Sequence, residues 1–267
     1  MEKYSLIQLS DIHIGRSDKE FDNTNKIIKQ IGTSYKGIPV IITGDLTHSA
    51  TKGQFKKMRN ILHELAKTNP ILTAPGNHDY AWYGISLRPE GWKNWVKYLS
   101  SPLGWGNDEY YWMGEDYEPV GIEGLGVFKH KSCVYFGVDS GDPNDKVITA
   151  RGYISTKLAN ALNASLKNYE GKTRIVFLHH HPFDDDFFTA LKGHEKLLKA
   201  VRNNCELLLF GHEHKYGIWW NYKGVPLIVS SHKSSLPMSG SCLMGTIIDI
   251  DNVGTPNVFF RHRLEAF

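Results

Sequence analysis

Short apolar segments alternate with longer segments of helical periodicity through the first 210 residues of the chain. Predicted strands lie at 4–10, 38–43, 70–74, 133–140, 173–179 and 205–210. Predicted helices lie at 21–31, 54–67, 155–169 and near 189–203. Short strands rich in β-branched residues, with helices between them, are typical of a parallel sheet with helical crossovers. This alternation predicts an α/β fold.

From residue 216 onward the pattern changes to strand-like segments without a helical segment between them. These segments are YGIWWNY, GVPLIVSS, SCLMGTIIDI and NVFFRHR. A strand-rich end after an α/β beginning is compatible with a second sheet of the same domain. The pattern alone leaves open whether that sheet belongs to one domain or two.

Composition and charge exclude several classes of protein. The chain has 267 residues, 41% hydrophobic and 22% charged, which is typical of a soluble globular protein. Its net charge of +3 is too small to indicate a nucleic-acid binder, although nucleic acid stays open as a substrate. Three widely spaced cysteines without a CxxC motif indicate neither a disulfide framework nor a zinc finger. We find no signal-peptide pattern and no apolar run near the roughly 18 residues that span a bilayer, so we expect a cytoplasmic protein without membrane segments.

Five of the predicted strands end in loops that carry potential metal ligands. In chain order the loops read SDIH, GDLTH, GNHD, HHHP and GHEH. Functional groups gather at the carboxyl ends of the strands in open α/β sheets, so these loops are predicted to converge on one crevice. Gly44, Gly76 and Gly211 directly precede ligand candidates, where the backbone needs close approach or conformational freedom.

The residue types in these loops favour two metal ions over one. Asp11 and His13 stand at i and i+2, and in extended backbone such residues point to the same side. The same spacing holds for His212 and His214. Together with a carboxylate, an amide and one more imidazole, they give about seven N and O donors without a thiolate. That set exceeds one tetrahedral zinc site and suits two divalent ions, Mn, Fe or Zn, that share a bridging carboxylate.

The remaining imidazole comes from the triplet at 179–181. Alternation along the strand places His180 on the side of Val176 and Leu178, and His179 on the opposite side with Phe177. This favours His180 as the ligand. His179 and His181 remain alternatives, because strands often twist or bulge at their ends.

The ordered series DxH, GD, GNHD, a histidine two residues before proline, and GHxH resembles the signature of the calcineurin-like metallophosphoesterase superfamily. The motifs span residues 11 to 214, and all five in order are specific although each alone is not. The resemblance implies an α/β fold, a four-layer α/β/β/α sandwich of two mixed β-sheets flanked by helices. It also implies a single domain over residues 1–267, which would absorb the strand-rich end.

The resemblance further implies a dinuclear metal centre. One ion would be bound by Asp11, His13 and His214. The other would be bound by Asn77, His180 and His212. A hydroxide between the two ions would attack phosphorus in line.

Three further roles follow from the same resemblance. Asp45 would bridge the two ions. His78 would protonate the leaving-group oxygen as general acid, and Asp79 would orient its imidazole. His48 stands where purple acid phosphatases have a tyrosine ligand, and we interpret it as a residue at the rim of the site or supporting it.

The motifs are most similar to those of the class III cyclic-nucleotide phosphodiesterase group. The predicted function is therefore hydrolysis of a small phosphodiester, with cyclic nucleotides as one candidate. A phosphomonoesterase or nuclease of the same superfamily is the alternative. A non-catalytic scaffold of this fold is a remote alternative, since the complete ligand set and His78 are present.

Residues 80–117 hold five of the seven tryptophans and six of the thirteen tyrosines. We predict an aromatic-rich insertion that packs on itself, with a lid over the active site as the alternative. The acidic run at 184–186 is predicted to be a solvated loop, and its alternative is a polar wall of the substrate pocket. His232 lies in a loop that could approach the site.

Overall fold

A computed structural model describes residues 3–82, 86–87, 90–99, 116–119, 124–141, 149–237, 243–251, 253 and 258–266. Its strands are β1 (Lys3–Leu9), β2 (Val40–Thr43), β3 (Ile71–Ala74), β4 (Ala81–Trp82), β5 (Ser86–Leu87), β6 (Asp116–Pro119), β7 (Leu125–His130), β8 (Cys133–Val138), β9 (Gly152–Tyr153), β10 (Thr173–Phe177), β11 (Leu191–Lys192), β12 (Leu207–Phe210), β13 (Gly217–Tyr222), β14 (Val225–Ser230), β15 (Met244–Asp251) and β16 (Phe259–Ala266). Its helices are α1 (Asp18–Ser34), α2 (Lys52–Ala66), α3 (Asn77–Tyr80), α4 (Gly91–Tyr98), α5 (Thr156–Asn168) and α6 (His194–Val201).

The strands form two large mixed sheets. The first has the order β16-β15-β1-β2-β3, in which β1, β2 and β3 are parallel. The second has the order β13-β14-β12-β10-β8-β7-β6, in which β14, β12, β10 and β8 are parallel. The strand-rich end of the chain does not form a sheet of its own. It supplies β13 and β14 to the second sheet, and β15 and β16 to the first.

Three apolar layers hold the sheets and helices together. Ile7 and Leu9 of β1 pack against α1 and α2, whereas Leu6 of the same strand faces the second sheet. In the second sheet, Val176 of β10 packs toward α5 and α6, whereas Phe177 faces the first sheet. Alternate residues of a strand point to opposite faces, so both sheets are buried on both sides. This confirms the predicted four-layer α/β/β/α sandwich.

Part of the aromatic-rich insertion packs on the main core. Trp95 of α4 is fully buried, and its ring lies 6.4 Å from that of Phe55 in α2 at an angle of 78°. Helix α4 therefore extends the core beneath α2. Much of the predicted insertion, including 100–115, lies outside the described residues.

The two sheets meet at the carboxyl ends of their parallel strands. The Gln8 side-chain amide donates a hydrogen bond to the Phe210 carbonyl at 2.9 Å, which joins β1 to the end of β12. The Ser234 amide donates to the Ser10 carbonyl at 2.9 Å, which joins the loop after β14 to the loop after β1. Loops from both sheets are thereby brought to one edge of the sandwich. Of the helices that the structure describes, none has the length and apolar character needed to span a bilayer.

Candidate metal centre

The donor-bearing loops are fixed to one another through their backbones. The Asp11 amide donates to the Gly44 carbonyl at 3.1 Å, and the Gly211 amide donates to the His179 carbonyl at 3.0 Å. Gly44 and Gly76 permit this close approach. A Cβ atom at Gly44 would lie 2.3 Å from His179 Nδ1, and one at Gly76 would lie 2.1 Å from Asp45 Oδ1. The predicted need for glycine beside these ligand candidates is confirmed at both positions.

The first group of donors surrounds His13. Its Nε2 atom lies 3.2 Å from His214 Nε2, 3.6 Å from Asp45 Oδ2 and 3.9 Å from Asp11 Oδ1. His214 Nε2 in turn lies 3.2 Å from Asp11 Oδ1. The structure therefore brings together the three residues predicted for one ion, with one oxygen of Asp45 beside them. We call these residues the first donor cluster.

The second donor cluster surrounds His179. Its Nε2 atom lies 3.1 Å from Asn77 Oδ1, 3.2 Å from His212 Nδ1 and 3.4 Å from Asp45 Oδ1. The other ring nitrogen, Nδ1, donates a hydrogen bond to the Thr43 carbonyl at 2.8 Å. That bond fixes the ring so that Nε2 faces the cluster.

The structure places His179 among these donors, whereas His180, the predicted ligand, is held by Ser140. The Nδ1 atom of His180 lies 2.8 Å from Ser140 Oγ, which also accepts the backbone N–H groups of His179 and His180. Because Ser140 Oγ already accepts these bonds, its hydroxyl hydrogen donates to Nδ1 of His180. His180 is fully buried beside the cluster, with its ring 4.7 Å from that of His212. It supports the cluster from behind, and the third histidine, His181, packs on Phe210 at 4.6 Å.

The donor spacings fit bound metal ions. Nitrogens that share one ion at about 2.1 Å lie about 3.0 to 3.4 Å apart at ordinary coordination angles. The two facing nitrogen pairs, His13–His214 and His179–His212, are both 3.2 Å apart. All donors are nitrogen or oxygen, as expected for Mn, Fe or Zn. The residues present therefore fit a metal centre.

Burial and neighbouring charges together set the charge states of the donors, and the charge of Asp45 outweighs burial to raise the pKa of His179 to about 9. Burial holds the pKa of His13 well below its usual value, and burial together with His179 lowers the pKa of His212 to about 4. Both rings are therefore neutral and able to bind a cation near pH 7. Burial raises the pKa of Asp11, but the hydrogen bond and charge of His214 outweigh it and lower that pKa to about 2. Asp11 is thus ionised.

Five of the donor residues have a left-handed backbone. They are Asp11, His13, Asp45, His212 and His214, with φ between 52° and 78°. Non-glycine residues rarely adopt such angles, and functional sites are among the places where they cluster. The i, i+2 pairs were predicted to converge because of extended backbone, and that reason is wrong. β1 ends at Leu9, and the pairs converge because the loops turn sharply.

His78 is oriented by a carbonyl and not by Asp79. His78 Nδ1 donates to the His48 carbonyl at 2.7 Å. The His48 ring stacks on the His78 ring, and the two ring centres are 5.2 Å apart. His48 therefore supports His78, in line with its interpretation as a supporting residue. Asp79 is fully buried and accepts hydrogen bonds from the amides of Leu46, Thr47 and Gly76 at 2.8 to 3.2 Å. Asp79 therefore ties two donor loops together. It does not orient the His78 imidazole, which was its predicted role.

A sixth loop lies at this edge, residues 231–236 after β14, and the sequence analysis gave it only as a loop that could approach the site. Lys233 is 6% exposed and forms an ion pair of 2.7 Å with the buried Glu20 of α1. His232 of the same loop is 2% exposed and belongs to none of the donor groups found among the described residues. The position of this loop follows from the topology, because β14 is also a parallel strand whose carboxyl end lies at this edge. Nothing in the sequence indicated that Lys233 is buried.

Known proteins resemble the chain in sequence. A "probable cyclic nucleotide phosphodiesterase" from Vesicomyosocius okutanii subsp. Calyptogena okutanii is 39% identical over 84 residues, which cover 28% of this chain and 34% of the relative. A second protein of that description, from Coxiella burnetii, is 22% identical over 222 residues, which cover 78% of this chain and 75% of the relative. The first match thus spans about a third of the relative's length.

A solved structure shares the fold of this chain, and the model of one protein family matches its sequence. A crystal structure of a dimetal phosphatase from Danio rerio aligns over 99% of this chain and 98% of its own, with a TM-score of 0.68 and 13% identity. At that identity the similarity shows a shared fold. The model of the calcineurin-like phosphoesterase family matches residues 4–216. Since this match runs from β1 through the last of the donor-bearing loops, the chain belongs to the calcineurin-like phosphoesterase family, a family of metal-dependent phosphoric ester hydrolases.

Proposed function

We propose that the protein hydrolyses a small phosphodiester at two divalent metal ions, with cyclic nucleotides as the first candidate substrates. The observation that carries the proposal is the position of Asp45. One of its oxygens lies 3.6 Å from His13 Nε2, and the other lies 3.4 Å from His179 Nε2. A carboxylate between two donor clusters is suited to bridge the ions of a dinuclear hydrolase.

The two clusters divide the metal-binding role between them. The first cluster would hold one ion through Asp11, His13 and His214. The second would hold the other through Asn77, His179 and His212. When bound, two such ions activate water and stabilise negative charge on the phosphoryl oxygens.

His78 is the proposed source of the leaving-group proton. Hydrolysis of a diester forms one P–O bond to the oxygen of water and breaks one P–O bond to the leaving alcohol, whose oxygen must gain a proton. The His48 carbonyl fixes Nδ1 of His78 as a hydrogen-bond donor, which leaves Nε2 to hold and transfer that proton. The ring lies 4.5 Å from the ring of His13, beside the first donor cluster.

The preference for diesters rests on the two curated relatives, which are both described as probable cyclic nucleotide phosphodiesterases. We therefore expect the manganese-loaded protein to hydrolyse bis(p-nitrophenyl) phosphate faster than p-nitrophenyl phosphate. EDTA should abolish this activity, and added Mn²⁺ should restore it. A protein that stays inert after metal addition would contradict the enzymatic function, and faster cleavage of the monoester would indicate a phosphomonoesterase.

Substituting His78→Gln should separate protonation from metal binding. We expect a loss of about 10²-fold in kcat for diesters with alkyl leaving groups, because glutamine cannot donate the proton. The loss should be much smaller for p-nitrophenyl esters, whose leaving group departs without one, and the metal content should not change. His63→Gln, on the exposed face of α2, is the matched control and should leave both rates unaltered. Equal losses for both kinds of leaving group would contradict the role of His78 as general acid.

A further inference from the structure

An exposed apolar patch lies on two adjoining segments, 149–153 and 184–192. Phe187 and Phe188 are 64% and 61% exposed, and Tyr153 is 41% exposed. The segments are held together by the pairing of β9 with β11 and by the Ala150 amide, which donates to the Phe188 carbonyl at 2.9 Å. Exposed large apolar side chains in such a cluster indicate a binding surface more often than isolated ones do.

The loop that carries the two phenylalanines is ordered by its own acidic side chains. Asp184 Oδ1 accepts the amide of Asp186 at 3.1 Å, and Asp186 Oδ1 accepts the amide of Phe188 at 2.7 Å. The Thr189 hydroxyl donates to the other oxygen of Asp184. The acidic run is therefore the loop's internal scaffold, consistent with the prediction of a solvated loop. The rings are positioned before any ligand arrives, which lowers the entropic cost of binding.

Arg151 covers one face of Phe187. Its guanidinium carbon lies 3.8 Å from the centre of the Phe187 ring, and the Phe188 ring meets Phe187 at 89° with its centre 5.4 Å away. The Nε and Nη2 atoms of Arg151 are buried, yet they form no hydrogen bond within the described part of the chain. Arg151 therefore backs one face of the Phe187 ring, and the 64% exposure of Phe187 comes from the rest of the side chain.

This patch adjoins the second donor cluster. Gly152, the residue after Arg151, lies so close to His180 that a Cβ atom on it would be 2.6 Å from the His180 ring. The His180 ring in turn lies 5.0 Å from the ring of His179 and 4.7 Å from that of His212. One buried ring therefore separates the 149–153 segment from the residues proposed to hold the second ion.

We propose that Phe187, Phe188 and Arg151 form a stacking site for the nucleobase of a nucleotide diester. The base would stack on the open face of Phe187, opposite the face that Arg151 covers, with its edge against Phe188. This inference rests on the proposed phosphodiesterase function and names the class of its substrate. A nucleobase suits the site because its flat π-face can stack on one aromatic ring and meet the second ring with its edge.

The size of the patch favours a base over a protein partner. A stable protein interface covers about 800 Å² and about 20 to 30 residues on each side. The patch offers three exposed rings on two short segments, which matches the face of one planar ring system. Stacking on a single aromatic ring can change the affinity for a base by about tenfold, which is enough to set substrate preference.

The test compares cyclic AMP with the 3′,5′-cyclic phosphate of methyl riboside, which has a methoxy group in place of the base. In the manganese-loaded protein, Phe187→Ala should raise KM for cyclic AMP by about tenfold, several times more than for the base-free substrate. Phe187→Trp keeps a stacking face and should restore the preference. Saturation-transfer NMR of adenosine should show contacts to the base protons in the wild-type protein and lose them in Phe187→Ala.

Phe259→Ala is the matched control, since Phe259 is 62% exposed on β16, the edge strand of the five-stranded sheet. It should change neither KM nor the NMR contacts. Equal KM changes for both substrates in Phe187→Ala, or equal wild-type KM values, would overturn the stacking site while leaving the phosphodiesterase function intact. Failure of the wild-type protein to hydrolyse either diester would contradict the proposed function, and the adenosine contacts would then decide the stacking site alone.

Discussion

Asp45→Asn should lower kcat/KM for bis(p-nitrophenyl) phosphate by roughly 10³-fold or more, because the metal ions contribute several kcal/mol of charge stabilisation to such reactions. The carboxylate of Asp45 presents one oxygen to each donor cluster. An amide presents one oxygen and one NH2 group, so a donor would face one of the two ions. The substitution also removes the negative charge nearest to both clusters. We therefore expect the purified variant to contain less metal than the wild type.

The measurement combines metal analysis by inductively coupled plasma mass spectrometry with steady-state kinetics. Asp139→Asn is the matched control, because Asp139 is half-buried and accepts a hydrogen bond of 2.6 Å from the Tyr80 hydroxyl, outside both clusters. It should retain its metals and its rate within about threefold, because asparagine keeps an oxygen that can accept the Tyr80 hydroxyl and the residue belongs to neither cluster. An Asp45→Asn protein with full metal content and near wild-type rate would rule out a bridging role.

The layers of the fold were predictable because the hydrophobic periodicity follows directly from burial. The strand at 173–179 and the helix at 155–169 appear in the structure as β10 and α5, and Ser155 caps α5 by accepting the Leu158 amide at 3.0 Å. The positions of the donor loops were predictable for the same reason. Once the strands were known to be parallel, their carboxyl ends had to share an edge.

The orientation of single side chains within those loops was not predictable. β10 is apolar on both faces, since Val176 and Leu178 pack toward the helices while Ile175 and Phe177 pack between the sheets. The alternation of side chains along β10 distinguishes the two faces of the strand, but it does not show which face is turned toward the other sheet. The donors after β1, β2 and β3 lie across that inter-sheet layer, so the histidine that faces them is the one on the Phe177 side of the strand, His179, and not the one on the Leu178 side. The left-handed turns at Asp11 and His13 depend likewise on contacts with distant loops.

His179→Asn should reduce metal binding, whereas His180→Asn should not. Asparagine at 179 cannot place a donor where Nε2 of the imidazole lies, 3.1 Å from Asn77 Oδ1 and 3.4 Å from Asp45 Oδ1. We expect this variant to lose one ion per chain and to lose roughly 10²-fold or more in kcat/KM, because loss of a supporting residue alone costs about 10- to 100-fold.

The matched variant His180→Asn removes a ring of the same size from the adjacent position. Asparagine can still accept the Ser140 hydroxyl, so the protein should keep both ions and most of its rate. It should nevertheless melt at a lower temperature, because a fully buried ring packed against His212 and Gly152 is lost and leaves a cavity. Metal loss in His180→Asn together with full metal content in His179→Asn would instead favour the assignment that strand alternation predicts. The pair of variants thus decides which face of β10 supplies the ligand, independently of the substrate.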